Sequence, residues 1–348
     1  MQARTAIVAV VAMLLAPGAA RADTHAPWPA DWNNWSDPAL WVPVGNPGNA
    51  ADTRYATPGY GAVGYTYNIG KYEVTAGQYT AFLNAVAKTD TYGLYNMNMD
   101  SSAYGCQITQ HGTSGNYTYD FSGRPSGTEA DWANRPANYV SWGDSARFAN
   151  WLHNGQPTGA QGLTTTEDGA YYLNGATGHA LAVSREADWK WAITSEDEWY
   201  KAAYHKNDGA TGNYFDYPTS SDSTPSNDLI DPDPGNNGNF YQNGWTIGSP
   251  YYRTAVGEFE NSDCPYGTFD MGGNVWEWNE GIRDGSSRVL RGGDFFGDDA
   301  GLNPWSRDVI GPTDGGSSVG FRVCQVPEPA SMALLALGGL VLIRRRRK

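Results

Sequence analysis

The chain has 348 residues, a net charge of −14, 14 Trp, 22 Tyr, 43 Gly and 20 Pro. Setting aside seven basic residues near the two ends (Arg4, Arg21 and the run Arg344 to Lys348) leaves the body near −21. So acidic a body excludes nucleic acid as a partner, since that takes a basic footprint, and the Gly and Pro content predicts turns and irregular loops in place of long helices.

In chain order, Arg4, the apolar stretch Ala6 to Ala16 and Ala20-Arg21-Ala22 read as the three parts of a secretory signal. Residues 1–22 are therefore assigned to a signal peptide and set apart from the fold. Residues 23–60, rich in Pro, Gly, Asn and Trp without a period, are expected to form an irregular N-terminal arm. Alternating aromatic and aliphatic residues over Tyr65 to Tyr72 predict a strand.

Three helix starts follow. Thr75 with Gln78 precedes an apolar face of Tyr79, Phe82, Leu83 and Val86. Ser141 with Asp144 precedes Phe148, Trp151 and Leu152, and Ser195 with Glu198 precedes Trp199, Ala202 and Ala203. Each is a capping box, a hydroxyl answered three residues on by a second acceptor, so these acids read as caps and not catalysts. Asp90 to Ala133, polar, Tyr- and Gly-rich, is expected to be a surface insertion, and Lys206 to Pro250 a second loop-rich region. With no internal repeat and no linker, residues 61–325 are expected to form one α+β domain.

The densest stretch is Phe269-Asp270-Met271-Gly272-Gly273-Asn274-Val275-Trp276-Glu277-Trp278. Its glycines allow sharp turns, and Asp270, Asn274 and Glu277 offer the hard oxygen donors that calcium prefers. As a strand, it would put Trp276 and Trp278 on one face and Glu277 on the other. Cys106, Cys264 and Cys324 permit one disulfide and one free thiol, in a pairing the spacing leaves open. The five histidines show no metal-ligand spacing, and there is no serine elbow, P-loop or dinucleotide fingerprint. Asp294, Asp298 and Asp299 beside Phe295 and Phe296 read as a solvated acidic loop, with a glycosidase-like pair as the alternative. Near the C-terminus, Pro327-Glu328-Pro329 precedes an apolar run of 12 residues, Met332 to Ile343, and a basic cluster. The run is short against the roughly 20 residues of a full span, and the cluster would stay on the cytoplasmic side.

Six motifs in order carry a family resemblance. They are Ile69-Gly70-Lys71-Tyr72-Glu73-Val74-Thr75, Arg135-Pro136-Ala137-Asn138-Tyr139-Val140-Ser141-Trp142, Ser195-Glu196-Asp197-Glu198-Trp199, Gly273-Asn274-Val275-Trp276-Glu277-Trp278, Arg291-Gly292-Gly293 and Gly320-Phe321-Arg322-Val323. From Tyr65 to Val323 the chain resembles the formylglycine-generating (sulfatase-modifying factor) family. The resemblance implies a C-type-lectin-like variant of the α+β class with little regular structure. It also implies a Ca2+ site from the side chains of Asp270 and Glu277 and the carbonyls of Gly273 and Val275. A second family site would match Asn239 and Phe240, with its partner acid falling on Ser249. The family reaction oxidises a cysteine in a Cys-x-Pro-x-Arg peptide to formylglycine with two active-site cysteines and copper. Those two positions fall on Gly297 and Leu302, so neither the oxidase reaction nor copper is expected, and no catalytic residue is named. Residues 326–348 resemble a PEP-CTERM sorting signal. That implies a transient membrane hold by the C-terminal helix, processing by an exosortase, and release to the cell surface or extracellular matrix. The expected function is that of an exported matrix protein, calcium-stabilised, binding exopolysaccharide or a surface protein; the alternative is a family oxidase acting on protein cysteine, or altered chemistry.

Overall fold

The structure, a computed structural model, describes residues 34–326. The expected signal peptide, the start of the arm and the C-terminal apolar run with its basic cluster lie outside the described residues.

The arm is not irregular throughout. Trp41–Val44 forms β1, which pairs antiparallel with β2 (Tyr67–Gly70), Val42 facing Ile69. Pro43 hides this strand in the sequence. It is tolerated because β1 is the outer strand of its four-stranded sheet, where a missing N–H need break no ladder bond.

α1 (Ala76–Val86) starts where the Thr75 hydroxyl accepts the Gln78 N–H and Gln78 answers to the Thr75 N–H. Residues 90–133 follow, and here the expectation of a surface insertion fails. The segment holds α2 (Asn98–Ser101), a hairpin of β3 (Thr109–His111) and β4 (Thr118–Asp120), and α3 (Glu129–Ala133), opened by a further capping box of Thr128 and Asp131. Leu94, Met99, Ile108, Phe121 and Trp132 from it are buried in the main core. Their spacing follows no period, which is why polar composition dominated the sequence reading.

α4 (Trp142–His153) packs on α1 through aromatic rings. Phe148 lies 5.1 Å from Phe82, 5.3 Å from Phe321 and 6.1 Å from Tyr79 between ring centroids. Asp144 is both cap and buried acid. Its Oδ2 accepts the N–H and the hydroxyl of Ser141, and burial pushes its carboxyl up to about 7 from the ordinary 3.8. The unfolded chain gives up this proton first, so the contribution to stability is full below about pH 4 and falls as pH rises towards 7. Melting temperatures of Asp144→Asn and the parent, compared from pH 4 to 8, should therefore shift in the variant's favour up to about pH 7 and run parallel above it.

β5 (Trp191–Ile193) and α5 (Glu196–Tyr204) lead to the long loop region and then to a second sheet of order β8-β7-β6-β9. β6 (Trp276–Arg283) and β7 (Ser287–Arg291) form a hairpin, β8 (Asp308–Ile310) flanks it, and the short β9 (Val319–Gly320) runs parallel to β6. β10 (Val323–Gln325) returns to the first sheet between β2 and β5. Short strands, short helices and long ordered loops make this an α+β, loop-rich, C-type-lectin-like fold.

Candidate functional site

The signature stretch enters β6 from a loop in which Asp270, Gly273 and Asn274 all have left-handed backbone, φ 57°, 87° and 58°. A Cβ on Gly273 would stand 2.3 Å from the Asn239 carbonyl oxygen. Glycine is required there because Asn239 bridges to this loop, accepting the Asn274 N–H through its carbonyl and donating its side-chain amide to Asn274 Oδ1. The two sequence-expected calcium regions thus lie against each other.

Glu277 is fully buried. Arg322 meets it in a two-point ion pair, Nε to Oε2 at 2.6 Å and Nη2 to Oε1 at 2.7 Å, and the Trp199 indole N–H donates to Oε2 at 2.9 Å. Arg322 also donates to the carbonyls of Gly70 and Phe269. The Arg322–Glu277 pair therefore ties together four of the six motifs. A fifth joins through Arg291, which pairs with Glu196 at the start of α5 at 2.6 Å.

Beside this pair sit two acids with little compensation. Asp270 accepts the Gly257 N–H through Oδ2, and burial pushes its carboxyl up to about 7. Glu73 is buried with neither carboxylate oxygen meeting a donor from another residue; burial, then the charge of Asp270, pushes it well above the usual carboxylate range. Three carboxylates within mutual electrostatic reach thus share the guanidinium of Arg322. Burial favours the neutral form of Glu73 and Asp270, and an acid so held would ionise beside a divalent cation, so the chemistry of Asp270 fits such an ion. Glu277 does not suit the same role, because Arg322 and Trp199 already occupy both of its oxygens. The set at Asn239 and Phe240 does not fit either: the Phe240 carbonyl accepts from Asn227 and Thr246, and the Asn239 carbonyl from Asn274. Among the described residues no three His, Cys, Asp or Glu side chains gather closely enough to hold a metal ion, so a calcium ion here would depend on backbone oxygens.

The segment after Arg291-Gly292-Gly293 carries no thiol. The Gly297 carbonyl accepts the Tyr241 N–H, and Leu302 is buried against Tyr217 and Phe240. The three cysteines are free and buried elsewhere, so the permitted disulfide is not formed. Burial pushes all three thiols up, Cys264 to about 12, which leaves them protonated and unreactive. The nearby acids serve turns: Asp294 accepts the N–H groups of Phe296 and Gly297, and Asp298 that of Ala300. That removes the support for a glycosidase-like pair.

The same segment contributes to an aromatic surface. Phe295 and Phe296 lie 4.2 Å apart, Phe296 is 4.9 Å from Tyr104 and 5.6 Å from Trp245, and Trp245 is 5.0 Å from Tyr241 and 5.3 Å from Tyr252. Tyr241, Trp245 and Phe296 remain 41, 40 and 37 % exposed. The buried Arg253 fixes the underside by donating to the carbonyls of Tyr104 and Gly105. Sequence reasoning missed this cluster, since its members come from three loops at irregular spacing; the adjacent Phe295-Phe296 beside a glycine was the one local signal.

The model of the Sulfatase-modifying factor enzyme 1-like domain family matches residues 34–326. The PEP-CTERM protein-sorting motif matches residues 325–348 and marks the chain for export and exosortase-mediated processing. No curated protein matches. Among solved structures, the chain is similar to CarF (17 % identity, 83 % of this chain and 98 % of that one, TM-score 0.47). It is also similar to Treponema denticola variable protein 1 (17 %, 82 % and 95 %, 0.48) and to PvdO from Pseudomonas aeruginosa (17 %, 82 % and 94 %, 0.45). With the matched model covering most of its length, the chain belongs to the sulfatase-modifying factor enzyme 1-like family.

Proposed function

We propose that this chain is a non-catalytic matrix or surface protein that uses the family scaffold to bind polysaccharide. The observation that carries this reading is the exposed aromatic surface of Tyr241, Trp245 and Phe296, built where the family's cysteines would stand. Flat rings with polar tips suit the apolar faces of sugar rings, and the acidic body favours a neutral polymer over a polyanion. The full chain should be retarded in gels containing the host's exopolysaccharide, and Trp245→Ala should weaken that retention about tenfold, the equivalent of about 1.4 kcal/mol. Parent protein that runs unretarded, or a variant retarded equally, would overturn the reading. The oxidase alternative is checked by mass spectrometry of a Cys-x-Pro-x-Arg peptide incubated with the protein and copper, where the peptide cysteine is expected to stay intact.

Calcium belongs to the same proposal as a structural ion at Asp270. An ion that binds only the folded chain at about 100 times its Kd adds about 2.7 kcal/mol. The melting temperature should rise with calcium over chelator in the parent and not in Asp270→Ala, which removes the oxygen donor. Equal melting of the parent in calcium and in chelator would remove the ion from the account.

A further inference from the structure

A cavity of about 160 Å3 opens beside the first turn of α4 and shares no lining residue with the aromatic surface. Its volume corresponds to about five waters at about 30 Å3 each, which is room for one small ring and not for a chain of them. Tyr92, Asn96, Tyr139, Asp144, Arg147 and Thr313 contribute to the wall.

Three features set this cavity apart from a packing defect. Asp144, 8 % exposed, gives Oδ2 to the Ser141 cap, and its Oδ1 accepts neither of those bonds. Arg147, 2 % exposed, gives Nε and Nη2 to Glu167 at 2.7 and 3.0 Å, with the Tyr92 ring 4.6 Å from its guanidinium carbon, and Nη1 takes no part in that pair. Gly143, within the helix, keeps the wall open: a Cβ there would come 3.4 Å from Arg147 Nη1 and 3.0 Å from Leu181 Cδ1. Tyr139 adds backbone strain, with φ 58° in a bulky residue, a conformation that surrounding structure must enforce.

The charge balance selects the ligand. Glu167 meets Arg147 at two points and neutralises it, so the wall holds no spare positive charge for an anion. What remains is an acceptor on Asp144, a donor on Arg147 and the aromatic side chains of Tyr92 and Tyr139 in the wall. We propose that this cavity binds a single neutral sugar residue, whose hydroxyls donate to Asp144 Oδ1 and accept from Arg147 Nη1. Burial leaves the Asp144 carboxyl titrating at about 7, so that it can accept from or donate to a hydroxyl near neutrality. This inference stands apart from polymer binding at the aromatic surface.

The test is titration of the full chain with glucose, galactose, mannose, rhamnose and N-acetylglucosamine, with glycine and inorganic phosphate as charged comparators, read by saturation-transfer NMR and calorimetry. At least one neutral sugar should bind saturably. Gly143→Ala adds a methyl at a helical position where alanine is favoured, so the fold is kept while the methyl crowds the wall beside Arg147 Nη1; Asp144→Asn keeps a cap acceptor and removes the acid. Both should weaken the sugar roughly tenfold or more with melting temperatures near the parent's, and Trp245→Ala should leave its affinity unchanged. The proposal is overturned if no neutral sugar binds the parent saturably, if glycine or phosphate binds more tightly, if both cavity variants bind as the parent does, or if only Trp245→Ala loses binding.

Discussion

Arg322→Leu is expected to destabilise the domain by about 3–5 kcal/mol, the range for removing one partner of a buried ion pair. Arg322 and Glu277 are both fully buried. Leucine would leave the Glu277 carboxylate in the interior with the Trp199 indole N–H, and would strip the Gly70 and Phe269 carbonyls of their donor. Against total stabilities of about 5–15 kcal/mol this is a large share. Arg322→Lys should rescue little, since a single ammonium cannot reproduce the fork that meets both carboxylate oxygens. The paired change Arg322→Met with Glu277→Gln should recover part of the loss, because the uncompensated charge is gone. Denaturant unfolding followed by circular dichroism reads all three, and a loss of under about 1 kcal/mol for Arg322→Leu, the scale of an exposed pair, would contradict the role given to this contact.

Trp278→Ala is expected to cost a similar amount, about 3–5 kcal/mol for an aromatic side chain removed from a core. Trp278 is fully buried in β6, and its indole N–H donates to the Val140 carbonyl at 3.0 Å, which joins the second sheet to the start of α4. Trp278→Phe keeps most of the volume and loses that bond, so the difference between the two variants separates packing from the orphaned carbonyl, which alone costs about 1–3 kcal/mol. Denaturation midpoints of the two variants check the order, phenylalanine milder than alanine. Equal losses would mean that the hydrogen bond, and not the packing, dominates.

The parts of the fold that were legible in the sequence are those coded by neighbours. The capping boxes at Thr75, Ser141 and Ser195 place three helices because cap and answering acceptor lie within four residues. The fourth, at Thr128, was obscured by the polar stretch around it. β1 escaped notice because Pro43 reads as a strand breaker until the strand is known to lie at a sheet edge. The core contributions of Met99, Ile108 and Phe121 carry no period, and only the tertiary packing shows them.

At the site the same division holds. The signature loop and its glycine requirement were readable, since Gly273 and Asn274 sit in one short stretch. The partner of Glu277 was not, because Arg322 lies 45 residues further on, and oxygen-donor chemistry alone made Glu277 look free for calcium. Counting along the chain led to the expectation that the family's thiol positions fall on Gly297 and Leu302. That this segment carries Phe296 into an exposed cluster with Trp245 and Tyr241 depends on loops brought together from far apart.

Recognition of polysaccharide on this aromatic surface is read most directly by hydrogen–deuterium exchange of the full chain with and without the host's exopolysaccharide. Exchange should slow in two segments, 241–252 and 294–297, with the rest of the domain unchanged. Protection confined to other loops, or no protection at a polymer concentration that retards the protein in gels, would contradict it.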